Sequence, residues 1–136
     1  MVALLDSAVV AGFLDRDDAF HTAADARLRR LVGRETLVAS VITYAELLTG
    51  AALGHHDEAA VRGFFRELID EVHSVDRDVA ERAAELRSRR RSLRMPDALI
   101  LATADVRHAD VVVTADGHWR STGISARVDL LVPSQG

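Results

Sequence analysis

Residues 94–104 read RMPDALILATA and predict a buried helix that carries one acidic residue in its first turn. Proline is tolerated in the first turn of a helix, where its missing N–H has no partner to lose, so Pro96 and Asp97 mark the start of this helix. The residues that follow are apolar or small on nearly every side, which is typical of a helix inside a protein. Asp97 is the exception. Its carboxylate is interpreted either as a cap that complements the helix dipole or as a functional group, and the other acids of the chain decide between the two.

Short apolar strands and helices alternate on both sides of this helix. The predicted strands are Val2–Leu5, Thr36–Ala39, Val72–Val75, Val111–Thr114 and Val128–Val132. The predicted helices are Ala8–Leu14, Ala19–Val32, Ser40–Leu53, Asp57–Val72, Val79–Arg91 and the helix that opens at Pro96-Asp97. Apolar strands without polar alternation are typical of a parallel sheet that is covered on both faces. The sequence therefore predicts the α/β class: a doubly wound, three-layer α/β/α sandwich with a five-stranded parallel sheet, formed by a single domain of residues 1–136.

Composition limits the cellular context and the chemistry. The 136 residues are 49% hydrophobic, but no apolar run is long enough to span a membrane. The start, MVALLDSA, lacks the charged region and the long apolar core of a signal peptide, so a cytoplasmic protein without membrane association is expected. The chain has no cysteine, which excludes a disulfide framework and a thiolate metal site.

All 17 basic residues are arginine. A chain without lysine has no phosphate-binding loop of the GKS or GKT type, no Schiff base and no lysine nucleophile. A phosphotransfer receiver domain, which shares the predicted fold and an acidic pocket, also requires a lysine. A haloacid-type phosphatase would need a second aspartate where Ala8 stands. The net charge of −4 argues weakly against a general nucleic-acid binder.

Four carboxylates are predicted to lie at one edge of the sheet. In open parallel sheets, sites form beyond the carboxyl ends of the strands. Asp6 follows the first strand directly, and Asp116 follows the strand that ends at Thr114. Glu46 lies about one turn into the helix after the second strand, and Asp97 opens the helix that leads into the Asp116 strand. Most of the other acids lie on helical stretches with the polar pattern of a solvated face.

Carboxylates gathered in a small space repel one another, which raises their pKa values or demands a cation. Mg²⁺ or Mn²⁺ is the natural partner because these ions prefer oxygen ligands in octahedral geometry. Such ions lower the pKa of a coordinated water and stabilise the charge on a phosphoryl group in phosphodiester hydrolysis. The four acids supply a charge of −4, equal to the whole net charge, which two divalent ions would cancel. One or two Mg²⁺ or Mn²⁺ ions are therefore expected at this edge.

The four acids stand in motifs that resemble those of a known family. The motifs are LDS at residues 5–7, SVITYAEL at 40–47, PDALILATA at 96–104 and VTADGHW at 113–119. Together they resemble the PIN-domain ribonucleases and, in order, spacing and chain length, the VapC-type toxins of bacterial toxin–antitoxin pairs. The resemblance covers nearly the entire chain, and four motifs in the right order are a far more specific signal than any one of them.

The resemblance implies a fold, an activity and partners. The family fold, a parallel five-stranded sheet between helices, agrees with the fold predicted from the residues. The implied activity is that of a Mg²⁺- or Mn²⁺-dependent endoribonuclease that cleaves structured RNA such as tRNA or rRNA. A homodimer is implied as well, together with a small antitoxin that blocks the site in a toxin–antitoxin hetero-oligomer. The implied metal-binding and catalytic residues are Asp6, Glu46, Asp97 and Asp116, with Ser7 and Thr114 close to the site.

Other residues in these motifs have less specific interpretations. Ser40 and Thr43 are predicted to start and orient the helix that carries Glu46, with a hydrogen bond to a carboxylate as a further role. His118 stands where many relatives have an acid or a polar residue. It is interpreted as an exposed loop histidine in preference to a phosphate or metal ligand. Trp119, where the family often has phenylalanine, is predicted to serve packing.

Six arginines stand within residues 82–94 against one acid, Glu85. Guanidinium groups bind phosphate oxygens in a bidentate manner, so this segment, with Arg91 and Arg94 foremost, is predicted to hold an RNA backbone beside the metals. The alternative is a solvated basic helix end that complements the helix dipole. Phosphate contacts do not read sequence, so the segment does not identify the RNA.

A catalytically inactive interaction protein with the same fold is the alternative function. It would bind its partner through the apolar stripe of residues 61–72. This stripe is predicted to belong mainly to the core, with one ring of the Phe64-Phe65 pair reaching the surface as an antitoxin or dimer contact. The presence of all four acids argues against an inactive protein.

Overall fold

The computed structural model describes residues 1–134, which form five strands and six α-helices. The strands are β1 (Val2–Leu5), β2 (Thr36–Ser40), β3 (Glu71–His73), β4 (Val111–Thr114) and β5 (Arg127–Leu130). The helices are α1 (Ser7–Leu14), α2 (His21–Leu31), α3 (Val41–Ala52), α4 (Glu58–Glu67), α5 (Arg77–Arg89) and α6 (Met95–Val106). A 3₁₀ turn (Gly117–Ser121) lies between β4 and β5. None of the helices in this part of the chain has both the length and the apolar character needed to cross a membrane.

All five strands are parallel, in the order β3-β2-β1-β4-β5. The central strand is β1, in which Leu4 pairs with Val38 of β2 on one side and with Val112 of β4 on the other. On one side of β1, the strands β2 and β3 form half of the sheet. The chain then crosses to the other side of β1, where β4 and β5 form the second half. The predicted five-stranded parallel sheet is confirmed. The order of its strands is new information from the structure.

Each central strand buries side chains on both of its faces. Ala3 and Leu5 pack in a core with α1, α2, α3 and α4, whereas Leu4, Val38 and Val112 pack in a second core with α5 and α6. A strand with two buried faces needs an apolar residue at nearly every position, which is the pattern that the sequence displays. The predicted three-layer α/β/α sandwich is therefore confirmed.

The helix predicted over Asp57–Val72 is too long. In the structure α4 ends at Glu67, and residue 72 lies in β3, which begins and ends earlier than the predicted strand. The backbone N–H of Asp70 donates to the carbonyl of Leu37 (2.8 Å), and the backbone N–H of Leu37 donates to the Asp70 carboxylate (2.8 Å). The chain has thus already joined the sheet at this point. Leu68, Ile69 and Val72, which follow the last residue of the helix, continue the helical spacing, which is why the pattern predicted one long helix.

Both rings of the Phe64-Phe65 pair belong to the core. Only 4% of Phe64 and 8% of Phe65 is exposed, so the prediction that one ring reaches the surface is wrong. The ring of Phe13 in α1 lies 5.5 Å from that of Phe64, and the ring of Tyr44 in α3 lies 4.6 Å from that of Phe65. These two neighbouring helices cover the pair, and the pair supplies no free surface for a partner.

Polar contacts hold the start of α5 and the link that joins its end to α6. The side chain of Asp76 caps the start of α5 by accepting from the backbone N–H of Val79 (3.0 Å). The helix ends two residues earlier than predicted, because the backbone of Arg90 is already extended. The Arg87 guanidinium donates to the carbonyl of buried Leu93 (2.9 Å), which ties the link to the helix.

Candidate active site

The winding of the sheet reverses between β1 and β4. In such sheets the loops that leave the two strands diverge and open a crevice at the carboxyl ends, where ligands bind. Asp6 follows β1 directly, and Asp116 lies two residues beyond the end of β4. The backbone N–H of Asp6 donates to the carbonyl of Val113 (3.0 Å), which joins the two strand ends. The fold therefore brings these two predicted acids to the crevice.

Asp6 is the most deeply buried of the four acids, with 7% of its surface exposed. One carboxylate oxygen accepts from the backbone N–H of Ser7 (2.7 Å), and the other accepts from the hydroxyl of Thr114 (2.8 Å). Burial raises the pKa of the Asp6 carboxyl to about 7, although both hydrogen bonds lower it. The negative charges of Asp97 and Glu46 raise this pKa further.

Asp97 lies in the first turn of α6, where the sequence left two interpretations open. The N-cap residue of α6 is Arg94, and its side chain makes no capping hydrogen bond. Burial raises the pKa of the Asp97 carboxyl, the Arg94 guanidinium lowers it, and the charges of Glu46 and Asp116 raise it. Within residues 1–134, no hydrogen bond to the Asp97 carboxylate contributes to this change in its pKa. The carboxylate is thus not occupied as a helix cap and interacts with the other acids instead.

Glu46 and Asp116 are more exposed than Asp6 and have polar partners of their own. The hydroxyl of Ser7 donates to a Glu46 carboxylate oxygen (2.7 Å). Oδ1 of Asp116 accepts from the backbone N–H of His118 (2.9 Å) and lies 3.0 Å from Nδ1 of the same residue. The backbone N–H of Asp116 donates to the Thr114 hydroxyl oxygen (3.1 Å). Ser7 and Thr114 therefore lie close to the acids, as the resemblance implied.

The chemistry of this donor set fits a divalent cation, although the side chains do not form a finished ligand set. All four groups offer carboxylate oxygens, and the charged forms of Asp6 and Asp97 are disfavoured by burial and by neighbouring acids, an effect that a cation reverses. In the described part of the chain, no three Asp, Glu or His side chains surround one ion position. Glu46 is held by Ser7 and Asp116 contacts His118, so both would turn to share an ion with Asp6 or Asp97.

Ser40 and Thr43 lie at the start of α3, and within residues 1–134 neither hydroxyl is hydrogen-bonded to a carboxylate, the further role predicted for both. The Ser40 side chain caps the helix by accepting from the backbone N–H of Ile42 (3.1 Å), which confirms its role as a helix-start residue. Thr43 is fully buried, and its hydroxyl has no hydrogen-bond partner within residues 1–134. The hydrogen bond from Thr43 to a carboxylate is therefore absent from the structure.

The arginine segment does not act as one surface. The Arg82 guanidinium is paired with Asp105 (2.9 Å) and serves packing between helices. Arg94 lies near enough to Asp97 to lower the pKa of that carboxyl. Arg91 lies away from the acids, in a separate groove on the outer side of α5 and the start of α6. The structure thus places Arg94 at the site, while a role for Arg91 in RNA binding stays a prediction.

A cleft of about 240 Å³ continues from the acids toward the α5–α6 link. Its floor includes Trp119, of which 2% is exposed, so the predicted packing role of this indole is confirmed. His118 is exposed, as predicted, but its contact with Asp116 places it at the rim of the site. The lining residues are Arg90, Ser92, Leu93, Asp97, Asp116, His118, Trp119 and Thr122.

Arg90 belongs to the arginine segment predicted to hold RNA, but the sequence placed Arg91 and Arg94 foremost, and the structure places Arg90 in the cleft. The run of three arginines at 89–91 was a signal for it, but the pattern could not rank the three side chains. Their directions depend on where α5 ends, and the predicted end was two residues too late.

Comparisons with known proteins agree with this fold. The family model of the PIN domain matches residues 3–124 of the chain, and no curated protein matches it. A toxin–antitoxin complex from Klebsiella pneumoniae is 27% identical, with a TM-score of 0.73 over 93% of this chain and 95% of that chain. VapBC2 from Rickettsia felis, solved with a DNA fragment from its promoter, is 17% identical, with a TM-score of 0.79 over 97% of this chain and 100% of that chain.

A third solved structure with the same fold is a VapC toxin from Mycobacterium tuberculosis that cleaves the sarcin–ricin loop. It is 22% identical, with a TM-score of 0.73 over 90% of this chain and 95% of that chain. The match to the family model spans most of the sequence and includes all four acids at the crevice. On this basis the chain belongs to the PIN-domain family.

Proposed function

We propose that this chain is a Mg²⁺- or Mn²⁺-dependent endoribonuclease that hydrolyses phosphodiester bonds in structured RNA, such as tRNA or rRNA, and acts as the toxin of a type II toxin–antitoxin pair. One observation carries the proposal. Burial and neighbouring acids raise the pKa values of Asp6 and Asp97 at the point where the sheet reverses its winding. Such an arrangement costs stability, and stability is commonly given up where function needs it. Membership in the PIN-domain family supports the same activity.

Asp6, Asp97 and Asp116 would hold one or two of these ions, with Glu46 completing the set. When bound, the ions lower the pKa of a water molecule and stabilise the charge on the phosphoryl group. Two hydroxyl groups hold the carboxylates in place. Ser7 donates to Glu46, while Thr114 donates to Asp6 and accepts from the backbone of Asp116. The bond from Thr114 limits the rotation of Asp6 before RNA binds, so less reorganisation of that carboxylate is needed when it does, whereas Glu46 would turn away from Ser7 to share an ion.

Arg94 and Arg91 would bind the RNA backbone at different distances from the acids. Arg94 is near enough to Asp97 to lower the pKa of that carboxyl, whereas Arg91 lies in a separate groove and would contact a part of the strand farther from the acids. An RNA substrate is supported by the likeness to the Mycobacterium tuberculosis toxin, which cleaves the sarcin–ricin loop. These arginines would contact phosphates, which are the same in every RNA, so they would not select particular bases.

A small antitoxin is the proposed partner, and the toxin itself is proposed to be a homodimer. The structures of similar fold from Klebsiella pneumoniae and Rickettsia felis are toxin–antitoxin complexes, which supports such a partner. The gene order provides a direct check. We expect a small open reading frame for a DNA-binding antitoxin immediately upstream, and co-expression of the two products should yield one complex that does not cleave RNA.

Dependence on a divalent ion is the test of the proposed activity. Purified protein is incubated with total cellular RNA in Mg²⁺ or Mn²⁺, and the cut sites are mapped by sequencing of the new ends. We expect discrete cleavage that EDTA abolishes and that excess Mg²⁺ or Mn²⁺ restores. Cleavage that persists in EDTA would refute the metal-dependent mechanism. Intact RNA under all of these conditions would favour the catalytically inactive interaction protein.

A further inference from the structure

Arg90 occupies a defined place in the cleft beside the acids. It is half-buried, lies at the end of α5, and lines the same cleft as Asp97 and Asp116. Its guanidinium Nη1 donates to the carbonyl of His118 (3.2 Å) and to the hydroxyl of Ser121. The side chain is therefore anchored by the 3₁₀ turn that follows Asp116.

The positive charge of Arg90 is not neutralised by a carboxylate. Arg82 and Arg107 on the same side of the molecule form ion pairs with Asp105 and Asp76, whereas Arg90 has no such pair within residues 1–134. Its two partners are a carbonyl and a hydroxyl, which orient the guanidinium without cancelling its charge. Both contacts involve Nη1, so the remaining N–H groups have no partner in the described residues. A fixed guanidinium with free donors is suited to a phosphate oxygen.

We propose that Arg90 binds the backbone phosphate next to the scissile one and so positions the RNA across the acids. This inference rests on the proposed ribonuclease function. The acids are the groups expected to act at the scissile phosphate, and the cleft leads from Asp97 and Asp116 to Arg90. An RNA strand that follows this cleft from the acids passes the Arg90 guanidinium. Arg90 acts through the position of the strand and is not a catalytic residue.

A purely structural role is the competing explanation, since Arg90 also holds the 3₁₀ turn through His118 and Ser121. The dependence of RNA affinity on salt separates the two roles. Each phosphate that a protein neutralises on single-stranded nucleic acid contributes about −0.7 to the slope of log K against log salt concentration. Loosening of the turn changes protein stability but does not change this slope by one phosphate contact.

The experiment compares wild-type protein with three variants: Arg90→Ala, Arg90→Lys and Arg120→Ala. Arg120 is the matched control, because it is an exposed arginine of the same 3₁₀ turn that does not line the cleft. The probe is a fluorescein-labelled oligouridine RNA of about 12 nucleotides, and its anisotropy is measured in EDTA at several salt concentrations. Thermal unfolding of each variant reports on folding.

For Arg90→Ala we expect about tenfold weaker binding and a salt slope that is smaller by about 0.7. Arg90→Lys should keep the wild-type slope with intermediate affinity, and Arg120→Ala should stay within about twofold of wild type. An unchanged slope in a folded Arg90→Ala protein, or an equal loss in Arg120→Ala, would overturn the inference. If wild-type protein still cleaves RNA in Mg²⁺, that result leaves the proposed function standing. Wild-type protein that neither binds the oligouridine nor cleaves RNA would overturn both.

Discussion

Aspartates serve opposite purposes at the two ends of the same sheet. At the amino end, Asp110 accepts from the backbone N–H of Val2 (2.7 Å), and Asp70 accepts from that of Leu37 (2.8 Å). The backbone N–H of each aspartate also donates to the carbonyl of the same partner, so each one clamps the start of a neighbouring strand. At the carboxyl end, in contrast, burial and the charges of neighbouring acids raise the pKa values of Asp6 and Asp97. Residue type alone therefore does not separate structural from functional acids.

The difference between the two ends lies in what surrounds the carboxylate. An exposed carboxylate that accepts from a backbone N–H contributes to stability at modest cost. A buried carboxylate among other acids is costly unless it is protonated or neutralised by a cation. The amino end thus holds the strands together, while the carboxyl end keeps a strained charge arrangement that a bound cation would relieve.

The largest expected effect comes from exchanging one aspartate for asparagine at each end and measuring RNA cleavage. Asp97→Asn removes a negative charge from the proposed ion site, so the rate of cleavage in Mg²⁺ should fall by about a thousandfold. Asp110→Asn is the matched change at the amino end and should leave the rate within about twofold. If Asp97→Asn and Asp110→Asn cleaved RNA at equal rates, the acids at the carboxyl end of the sheet would be no more important for activity than those at the amino end.

The next effect concerns stability and pH in the protein without metal. The folded protein binds the Asp6 proton more tightly than the unfolded chain does, since the pKa is about 7 when folded and 3.8 ordinarily. The stability that Asp6 contributes is therefore complete below pH 3.8 and is lost as pH rises through about 7. At 1.36 kcal/mol per pKa unit, this loss amounts to about 4 kcal/mol at most.

Asp6→Asn should remove most of this loss, because asparagine stays neutral. In urea unfolding with EDTA, we expect the variant to be more stable than wild type at about pH 8 by a few kcal/mol, with the gap narrowing as pH falls from about 7 toward 3.8. The raised pKa of Asp97 acts in the same direction, so Asp97→Asn should give a gap of the same sign. An Asp6→Asn protein that is less stable than wild type at about pH 8 would contradict the conclusion that the buried negative charge of Asp6 destabilises the folded protein.

The smallest effect is expected for the strand clamps at the amino end. Asp70→Ala removes one hydrogen bond from a carboxylate to a backbone N–H, and we expect a loss of about 1 kcal/mol in the free energy of unfolding. Urea unfolding at neutral pH measures it, and RNA cleavage at a temperature where the variant stays folded should be unchanged. A stabilised Asp70→Ala protein would mean that the amino-end acids carry the same cost as those at the carboxyl end.

Local patterns predicted most of the fold because each strand and helix has its own signal. Apolar runs such as Val111–Thr114 give buried strands, and Pro96 marks the start of α6. The pattern failed at the α4–β3 boundary, where Leu68 and Ile69 continue a helical spacing after the backbone has left the helix. The strand order could not be predicted, since it depends on contacts between residues far apart in the chain.

The positions of the four candidate acids were predictable from the ends of strands and the first turns of helices, and the resemblance placed Ser7 and Thr114 near them, but the individual hydrogen bonds were not predictable. The hydrogen bond between Thr114 and Asp6 joins residues 108 positions apart, and no local pattern encodes it. The same limit applies to Arg90, whose direction follows from the last residue of α5 and from the 3₁₀ turn that anchors it. Residues that stand in a local motif, such as the four acids, could thus be identified from the sequence. Side-chain directions that depend on tertiary contacts, such as that of Arg90, could not.

The pairing of β1 with β4 also governs when the site comes into existence during synthesis. A chain grows at roughly 5–20 residues per second, so Asp6 precedes Asp116 by roughly 5–20 s. A nascent chain that has not yet paired β4 with β1 has only part of the acidic set in place, and so has any fragment that stops before β4. For the ribonuclease proposed above, this order of assembly would keep the growing chain harmless to the RNA around it until β4 has been made and has paired with β1.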